Sequence, residues 1–296
     1  MFGFLNLNKP LQWTSHDCVG KVRRLLKTRK VGHGGTLDPL ASGVLPIAVG
    51  KATRLLPYLP TAKRYKALVR FGVRTDSDDL AGNIIEEQSA SSLTLTAIEA
   101  ELPHFFGKIH QIPPQYSAIQ VGGKRLYELA RAGIACEVPS REVEIFKLQM
   151  LNWRSGDKPE LALMVDCGEG TYIRALARDL GDRLGVGATL AGLERQLSGG
   201  MEISESITME ELQTAIESQS SPPLLPPHQT LTHLPQVILT PDLVQRWYQG
   251  QRLFLPGLPV GIVRVADGQQ EFLGIATVTA ELEGTVLRPK VVIGQD

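Results

Sequence analysis

Residues 31–46, Val-Gly-His-Gly-Gly-Thr-Leu-Asp-Pro-Leu-Ala-Ser-Gly-Val-Leu-Pro, constrain this chain more than any other stretch. Its glycines permit backbone turns that residues with side chains disfavour. The run then passes directly into an apolar strand, expected over 44–49. Within the loop stands one carboxylate, Asp38, and the preceding residues 1–37 hold seven Lys/Arg against a single acid, Asp17. A lone carboxylate in a basic, flexible-backboned setting suits a nucleophile or base that must stay ionised beside a negatively charged polymer.

The basic character extends further along the chain. Formal net charge is zero, yet residues 1–75 carry fourteen Lys/Arg against Asp17 and Asp38, so the balancing acidity lies in the remainder. Such a segment attracts phosphate or an acidic partner. With 296 residues, 43% of them hydrophobic and 21% charged, the chain is expected to bury a substantial core in one large domain plus a small one. Cys18, Cys136 and Cys167 are too few and too widely spaced for a disulfide framework or a zinc site. No stretch reads as a signal peptide or a membrane span, so a cytoplasmic protein is expected.

Local patterns order the elements. Residues 4–8 read as a strand, and a helix is expected from Thr14, three residues before Asp17 as in a capping box. Its apolar side is Val19, Val22, Leu25 and Leu26, and Lys21, Arg23, Arg24 and Lys27 cover the other. A short helix is expected over 52–59. Residues 63–72 alternate with period two, putting Tyr65, Ala67, Val69 and Phe71 on one inward face. Tyr65 stands at the polar end of that row, where a phenol can line a pocket.

A helix is expected near 95–106, strands at 142–150 and 161–167, and a further helix over 171–184. That last helix carries Arg174 in its first turn, where the macrodipole disfavours a cation unless it is solvated or paired with an acid. Residues 107–141 read as an excursion in which glycines, basic residues and tyrosines interleave, a composition suited to gripping RNA. It includes a short helix around 126–132. Residues 218–228 form a Pro/Ser-rich linker by composition. Beyond it come one helix over 241–248 and several Gly-punctuated β-like runs, a small β-rich module.

Several chemistries are excluded by their missing signatures. The glycine loop lacks the Gly-Lys-Ser/Thr ending of a P-loop, and there is no Rossmann fingerprint, no Gly-x-Ser-x-Gly elbow and no paired histidines at metal-ligand spacing. Asp38, Tyr65 and Arg174 remain as catalytic candidates, a set that needs no metal or redox cofactor.

Gly32-His33-Gly34-Gly35-Thr36-Leu37-Asp38-Pro39-Leu40-Ala41-Ser42-Gly43-Val44-Leu45 closely resembles the catalytic motif of the bacterial tRNA pseudouridine-55 synthases. The resemblance continues through Asn8-Lys9-Pro10, Thr14-Ser15-His16-Asp17, Lys63-Arg64-Tyr65-Lys66, Pro113-Pro114-Gln115-Tyr116-Ser117-Ala118, Gly123-Lys124-Arg125-Leu126-Tyr127-Glu128 and Gly170-Thr171-Tyr172-Ile173-Arg174. These segments span about residues 3–200 in the family's order.

The resemblance implies an α+β pseudouridine synthase fold, with a central mixed, mostly antiparallel sheet and flanking helices in residues 1–228. It implies a thumb-like insertion at about 107–141 and a PUA-like RNA-binding module in 229–296. The implied reaction turns uridine 55 of the tRNA T-loop into pseudouridine by base flipping, with no cofactor. Asp38 would be the catalytic aspartate, attacking C1′, attacking C6 or removing a ribose proton. Tyr65 would stack on the base and take part in proton removal from C5, and Arg174 would pair with Asp38. His33, Tyr65, Tyr172 and Leu193 would line the substrate pocket.

The implied partner is tRNA, held by its T-arm and, through the C-terminal module, by its acceptor end, and the protein is expected to act as a monomer. Gln12 departs from the glycine usual in the family, which implies a different turn there. Two other readings compete. A guide-RNA-dependent synthase is opposed by the thumb-like segment, which suits direct tRNA recognition. A non-catalytic tRNA-binding or tRNA-folding protein is opposed by the intact set of Asp38, Tyr65 and Arg174.

Overall fold

The computed structural model describes residues 1–294 except 118, 122, 127–131, 133–135, 137 and 283. The chain opens with strand β1 (Gly3–Lys9) and helix α1 (Ser15–Leu25). Thr14 caps that helix reciprocally: its hydroxyl accepts from the Asp17 N–H at 3.0 Å, and the Asp17 carboxylate accepts from the Thr14 N–H at 2.9 Å. Two orphan donors are thereby satisfied. Strands β2 (Val31–His33) and β3 (Ala41–Val49) follow, joined by the Asp38 loop. The helix expected over 52–59 is a 3₁₀ turn at Gly50–Tyr58, a short segment with Pro57 inside it.

β4 (Lys63–Phe71) buries Tyr65, Ala67, Val69 and Phe71, as the alternation requires. A ribbon of β5 (Val73–Thr75) and β6 (Ile84–Glu87) leads to helix α2 (Leu95–Glu101), which ends in a 3₁₀ turn at Leu102–Phe105. β7 (Gly107–Gln111) then pairs antiparallel with β10 (Arg141–Arg154). The first five residues of the expected excursion are therefore an edge strand of the main sheet. Gly107 and the polar Lys108 and His110 obscured that alternation, in which Ile109 and Gln111 face inward. Within the excursion, β8 (Gln120–Val121) and β9 (Lys124–Arg125) form a hairpin. The short helix expected around 126–132 falls on residues that lie largely outside those described.

β11 (Glu160–Cys167), helix α3 (Ile173–Arg183) and β12 (Ala188–Ser198) complete the large unit, with β13 (Met201–Glu202) and helix α4 (Met209–Glu217). The sheet runs β1-β3-β12-β4-β11-β10-β7, with β2 beside β3 and β13 beside β12. Only the β3–β12 pairing is parallel among these described strands. This is the α+β fold with a mixed, mostly antiparallel central sheet that the sequence led us to expect. α3 packs Ile173, Leu176, Ala177 and Leu180 into one core with Tyr65, Ala67, Val69 and Leu163. α1 and α4 pack into a second core with Leu5, Leu7, Leu45 and Ile47.

The Pro/Ser-rich stretch is strapped to the sheet, since Phe4 and Leu225 exchange two backbone hydrogen bonds of 2.8 and 2.7 Å. Helix α5 (Pro227–Thr230) spans the expected 228/229 boundary, and the second sheet begins at β14 (Gln236–Leu239). After helix α6 (Pro241–Tyr248) come β15 (Leu253–Phe254), β16 (Gly261–Asp267), β17 (Phe272–Glu281) and β18 (Gly284–Val292), in the order β14-β16-β17-β18-β15. Ile275, Val291 and Ile293 of this module share a core with Phe4, Val44 and Ala48 of the large one. The Phe, Val and Ile side chains among these contribute about 1.5–3 kcal/mol each when fully buried, so the seam holds the two units together. No described helix is long and apolar enough to cross a membrane.

Candidate active site

The Asp38 loop is pinned at several points. The Gly34 N–H donates to Pro46 O at 2.8 Å, and Gly35 turns the chain with a φ of +115°. The Ser15 hydroxyl, at the start of α1, accepts from the Leu37 N–H at 2.8 Å and donates to Leu37 O at 3.2 Å. The Leu37 side chain plugs into the core beside Tyr65 and Ala41. The Gln12 N–H donates to Pro39 O at 2.7 Å. Gln12 itself has a φ of +66°, the left-handed conformation that glycine adopts without cost. The turn expected to differ is therefore one a glycine would favour, made here by a glutamine.

Arg174 meets Asp38 from α3. Its Nη2 lies 3.0 Å from Asp38 Oδ2, and its Nε lies 3.7 Å from Asp79 Oδ2. Nη1 and Nη2 also donate to Ser77 O at 3.1 Å and Tyr116 O at 3.0 Å. Only 5% of Arg174 is exposed. Two carboxylates and two carbonyls thus offset the unfavourable position of a cation in a first helical turn. The Asp38 side chain keeps 38% of its surface open, so one side of the carboxylate is accessible from outside.

The start of α3 is fixed in turn by Gln111, whose side chain accepts from the Tyr172 N–H at 3.0 Å and donates to Tyr172 O at 3.2 Å. One turn further along α3, Arg178 binds Asp78 at 2.7 Å, Asp179 at 2.9 Å and Ile112 O at 2.8 Å. The loop holding Asp78 and Asp79 is thereby tied to the same helix that carries Arg174.

A cleft is lined by Asp38, Leu40, Ala41, Asp79, Arg174 and Leu190–Leu193. Of the six residues singled out from sequence, Asp38, Arg174 and Leu193 line it directly. Leu193 reaches it because β12 sets it opposite Ala41 of β3 and Ala67 of β4. Tyr65 lies in the core beneath and is 6% exposed. Burial pushes its phenol up, and the Arg195 guanidinium nearby works in the other direction. His33 ends β2 and Tyr172 precedes α3, both half-buried and outside the lining of this cleft. Burial, and then the charge of Arg195, push the His33 imidazole down.

Four contributors escaped the sequence reading: Lys9, Ser77, Asp79 and Arg195. The run Asp76-Ser77-Asp78-Asp79 was a visible signal for two of them. Lys9 and Arg195 are fully buried. Lys9 Nζ donates to Trp13 O at 2.6 Å and Pro10 O at 2.9 Å. Burial lowers its amine to about 8, against the opposing pull of Cys18 and Asp38. Among the described residues, no group of three or more His, Cys, Asp or Glu side chains is arranged to hold a metal.

Three family descriptions match successive parts of the chain. Residues 23–173 match the TruB family pseudouridylate synthase N-terminal domain, 174–237 the tRNA pseudouridylate synthase B C-terminal domain, and 235–293 the pseudouridine synthase II TruB C-terminal domain. The chain is 65% identical over 295 residues to tRNA pseudouridine synthase B of Synechocystis sp., covering 99% of this chain and 100% of that protein. It is 53% identical to the protein of the same name from Trichormus variabilis, covering 99% and 98% of the two chains. Among solved structures it is similar to a chain in an H/ACA RNP bound to a substrate RNA containing 2'-deoxyuridine, with a TM-score of 0.76 and 25% identity over 99% of this chain and 86% of that one. A chain of a Cbf5-Nop10-Gar1 complex is similar with a TM-score of 0.76 and 26% identity, covering 98% of this chain and 84% of that one.

Proposed function

The chain belongs to the TruB family of pseudouridine synthases and makes pseudouridine in tRNA, and from that premise we propose that it isomerises uridine 55 of the T-loop with Asp38 as its essential group. The observation that carries this reading is the Arg174–Asp38 pair at 3.0 Å, one side buried and the other open to the cleft. A carboxylate held in one orientation beside a cleft is preorganised for attack or proton abstraction.

The reaction breaks the bond between ribose C1′ and uracil N1, turns the base, and joins C5 to C1′. The C5 proton is lost and N1 takes one up, so the product is an isomer of the substrate. Asp38 acts at the ribose or at C6, and Arg174 keeps its carboxylate aimed. Tyr65 supports the base from below and serves removal of the C5 proton. Leu193 supplies the apolar wall on which an extruded uracil rests, offsetting part of the few kcal/mol that unstacking costs. His33 and Tyr172 stand at the margins, where the chain meets the rest of the T-arm.

In this reading residues 1–228 form the catalytic unit, and 229–296 form the PUA-like module that binds the acceptor end. The protein works as a monomer in the cytoplasm and needs no cofactor. Identity of 65% over the full chain to a tRNA pseudouridine synthase, against 25% to a chain of an H/ACA RNP, favours action on tRNA by the protein alone. Incubating the purified protein alone with an unmodified tRNA transcript tests this. Pseudouridine at position 55 and nowhere else is expected. Product at another position, or none from folded protein with tRNA bound, would refute it.

A further inference from the structure

Arg195 is a charged side chain with no surface exposure, in the middle of β12. Its guanidinium forms no ion pair with a carboxylate among the described residues. It is bonded instead to three backbone carbonyls: Nε to Val44 O at 2.7 Å, Nη2 to Gly35 O at 3.1 Å and Nη1 to Thr36 O at 3.3 Å. These carbonyls bracket Asp38, two on the loop before it and one on the strand after it. Burying a cation with only neutral partners is expensive, and an apolar residue of similar volume would stabilise a sheet interior at least as well.

The register of β12 explains what the position offers. Arg195 sits opposite Gly43 of β3 on one side and opposite Tyr65 of β4 on the other. The close approach to β3 depends on Gly43, where an added Cβ would come within 2.3 Å of the Arg195 carbonyl oxygen. One residue thus stands between the strand that carries Tyr65 and the strand that carries the Asp38 loop. Its charge acts on both Tyr65 and His33.

We propose that Arg195 is a positioning residue for the isomerisation, fixing the Asp38 loop relative to Tyr65 by tying the carbonyls of Gly35, Thr36 and Val44 to β12. The proposal rests on the reading that Asp38 and Tyr65 act on the uridine. Arg195→Lys keeps the charge but replaces the planar fork with one ammonium, which cannot hold three carbonyls in the same geometry. Arg195→Gln removes the charge and keeps a shorter planar donor.

In single-turnover assays with tRNA, run well below the melting temperature, Arg195→Lys should lose about 100-fold in rate, as small misplacements of reacting groups do. Its affinity for tRNA should stay that of the wild type, and amide exchange should accelerate at residues 34–40 but not across the rest of the sheet. A folded Arg195→Lys or Arg195→Gln with wild-type rate would overturn the proposal. So would failure of both variants to fold, which would make the residue purely structural. Asp38→Asn, assayed in parallel, separates the two ideas. An active Asp38→Asn would sink the underlying reading, whereas an inactive Asp38→Asn beside a fully active Arg195→Lys would sink only the role given to Arg195.

Discussion

Beneath the Asp38 loop, Lys9, Arg174 and Arg195 are buried at 0%, 5% and 0% exposure and are bonded to carbonyls or carboxylates. The core of the C-terminal sheet is built instead from Val237, Leu239, Trp247, Leu253, Val263 and Val265, with the Trp247 indole N–H donating to Leu273 O at 3.1 Å. The core of the second region follows the ordinary rule that large buried side chains are apolar, and its one indole donor finds an acceptor. The first departs from it in one place, around one carboxylate. A fold that accepts three buried cations at a single loop is giving up stability for fixed geometry, and such departures gather at functional sites.

The contrast can be broken by substitution on either side. Trp247→Ala empties the centre of the C-terminal core and should cost about 3–5 kcal/mol of stability. It should leave single-turnover chemistry on an isolated T-arm hairpin unchanged at low temperature. Thermal melts and the hairpin assay check both halves, and a lost rate in folded protein would mean that the two regions are coupled. Arg174→Met acts the other way. It strands two carboxylates, Asp38 and Asp79, and should slow the chemical step about 100-fold while tRNA binding persists.

Lys9 gives the contrast a pH dependence. Its folded value of about 8 lies below the ordinary 10.5, so between those limits the unfolded chain holds a proton that the folded protein has released. Stability relative to Lys9→Met should therefore be flat below about pH 8 and rise between 8 and 10.5, by at most about 1.4 kcal/mol per pH unit. Urea melts of both proteins across that range measure it, and a relative stability that falls with pH would contradict the burial account. The smallest effect belongs to Gln12→Gly, which relieves a left-handed residue at φ +66° and should stabilise by about 0.5–1 kcal/mol. A destabilised Gln12→Gly in urea melts would mean that the glutamine side chain contributes something the turn geometry does not explain.

Much of this architecture is legible in the chain. The Thr14–Asp17 cap, the alternation from Lys63 to Phe71 and the helix Pro241–Tyr248 each follow from local rules, because the signal lies within a few residues. The Asp38 loop stood out for the same reason. What escaped was non-local. Nothing in the neighbourhood of Lys9 or Arg195 announces that a cation will be buried, since burial is decided by strands far away in sequence. β7 hid behind a glycine and alternate polar residues until β10 supplied its partner. The seam joining Ile275 and Val291 to Phe4 and Val44 likewise unites residues from opposite ends of the chain, and it turns a seemingly separate module into part of one body.

The central claim is that the loop clamped by Ser15, Gln12 and Arg195 exists to present one carboxylate, and Asp38→Asn tests it most directly. The substitution keeps the size of the side chain and a hydrogen-bonding oxygen while removing the charge. Under single-turnover conditions with an unmodified tRNA transcript, the variant should form no pseudouridine at position 55, a loss of about 10⁴-fold or more, while binding that tRNA as tightly as the wild type. Pseudouridine formed at position 55 at a rate near that of the wild type would contradict the account.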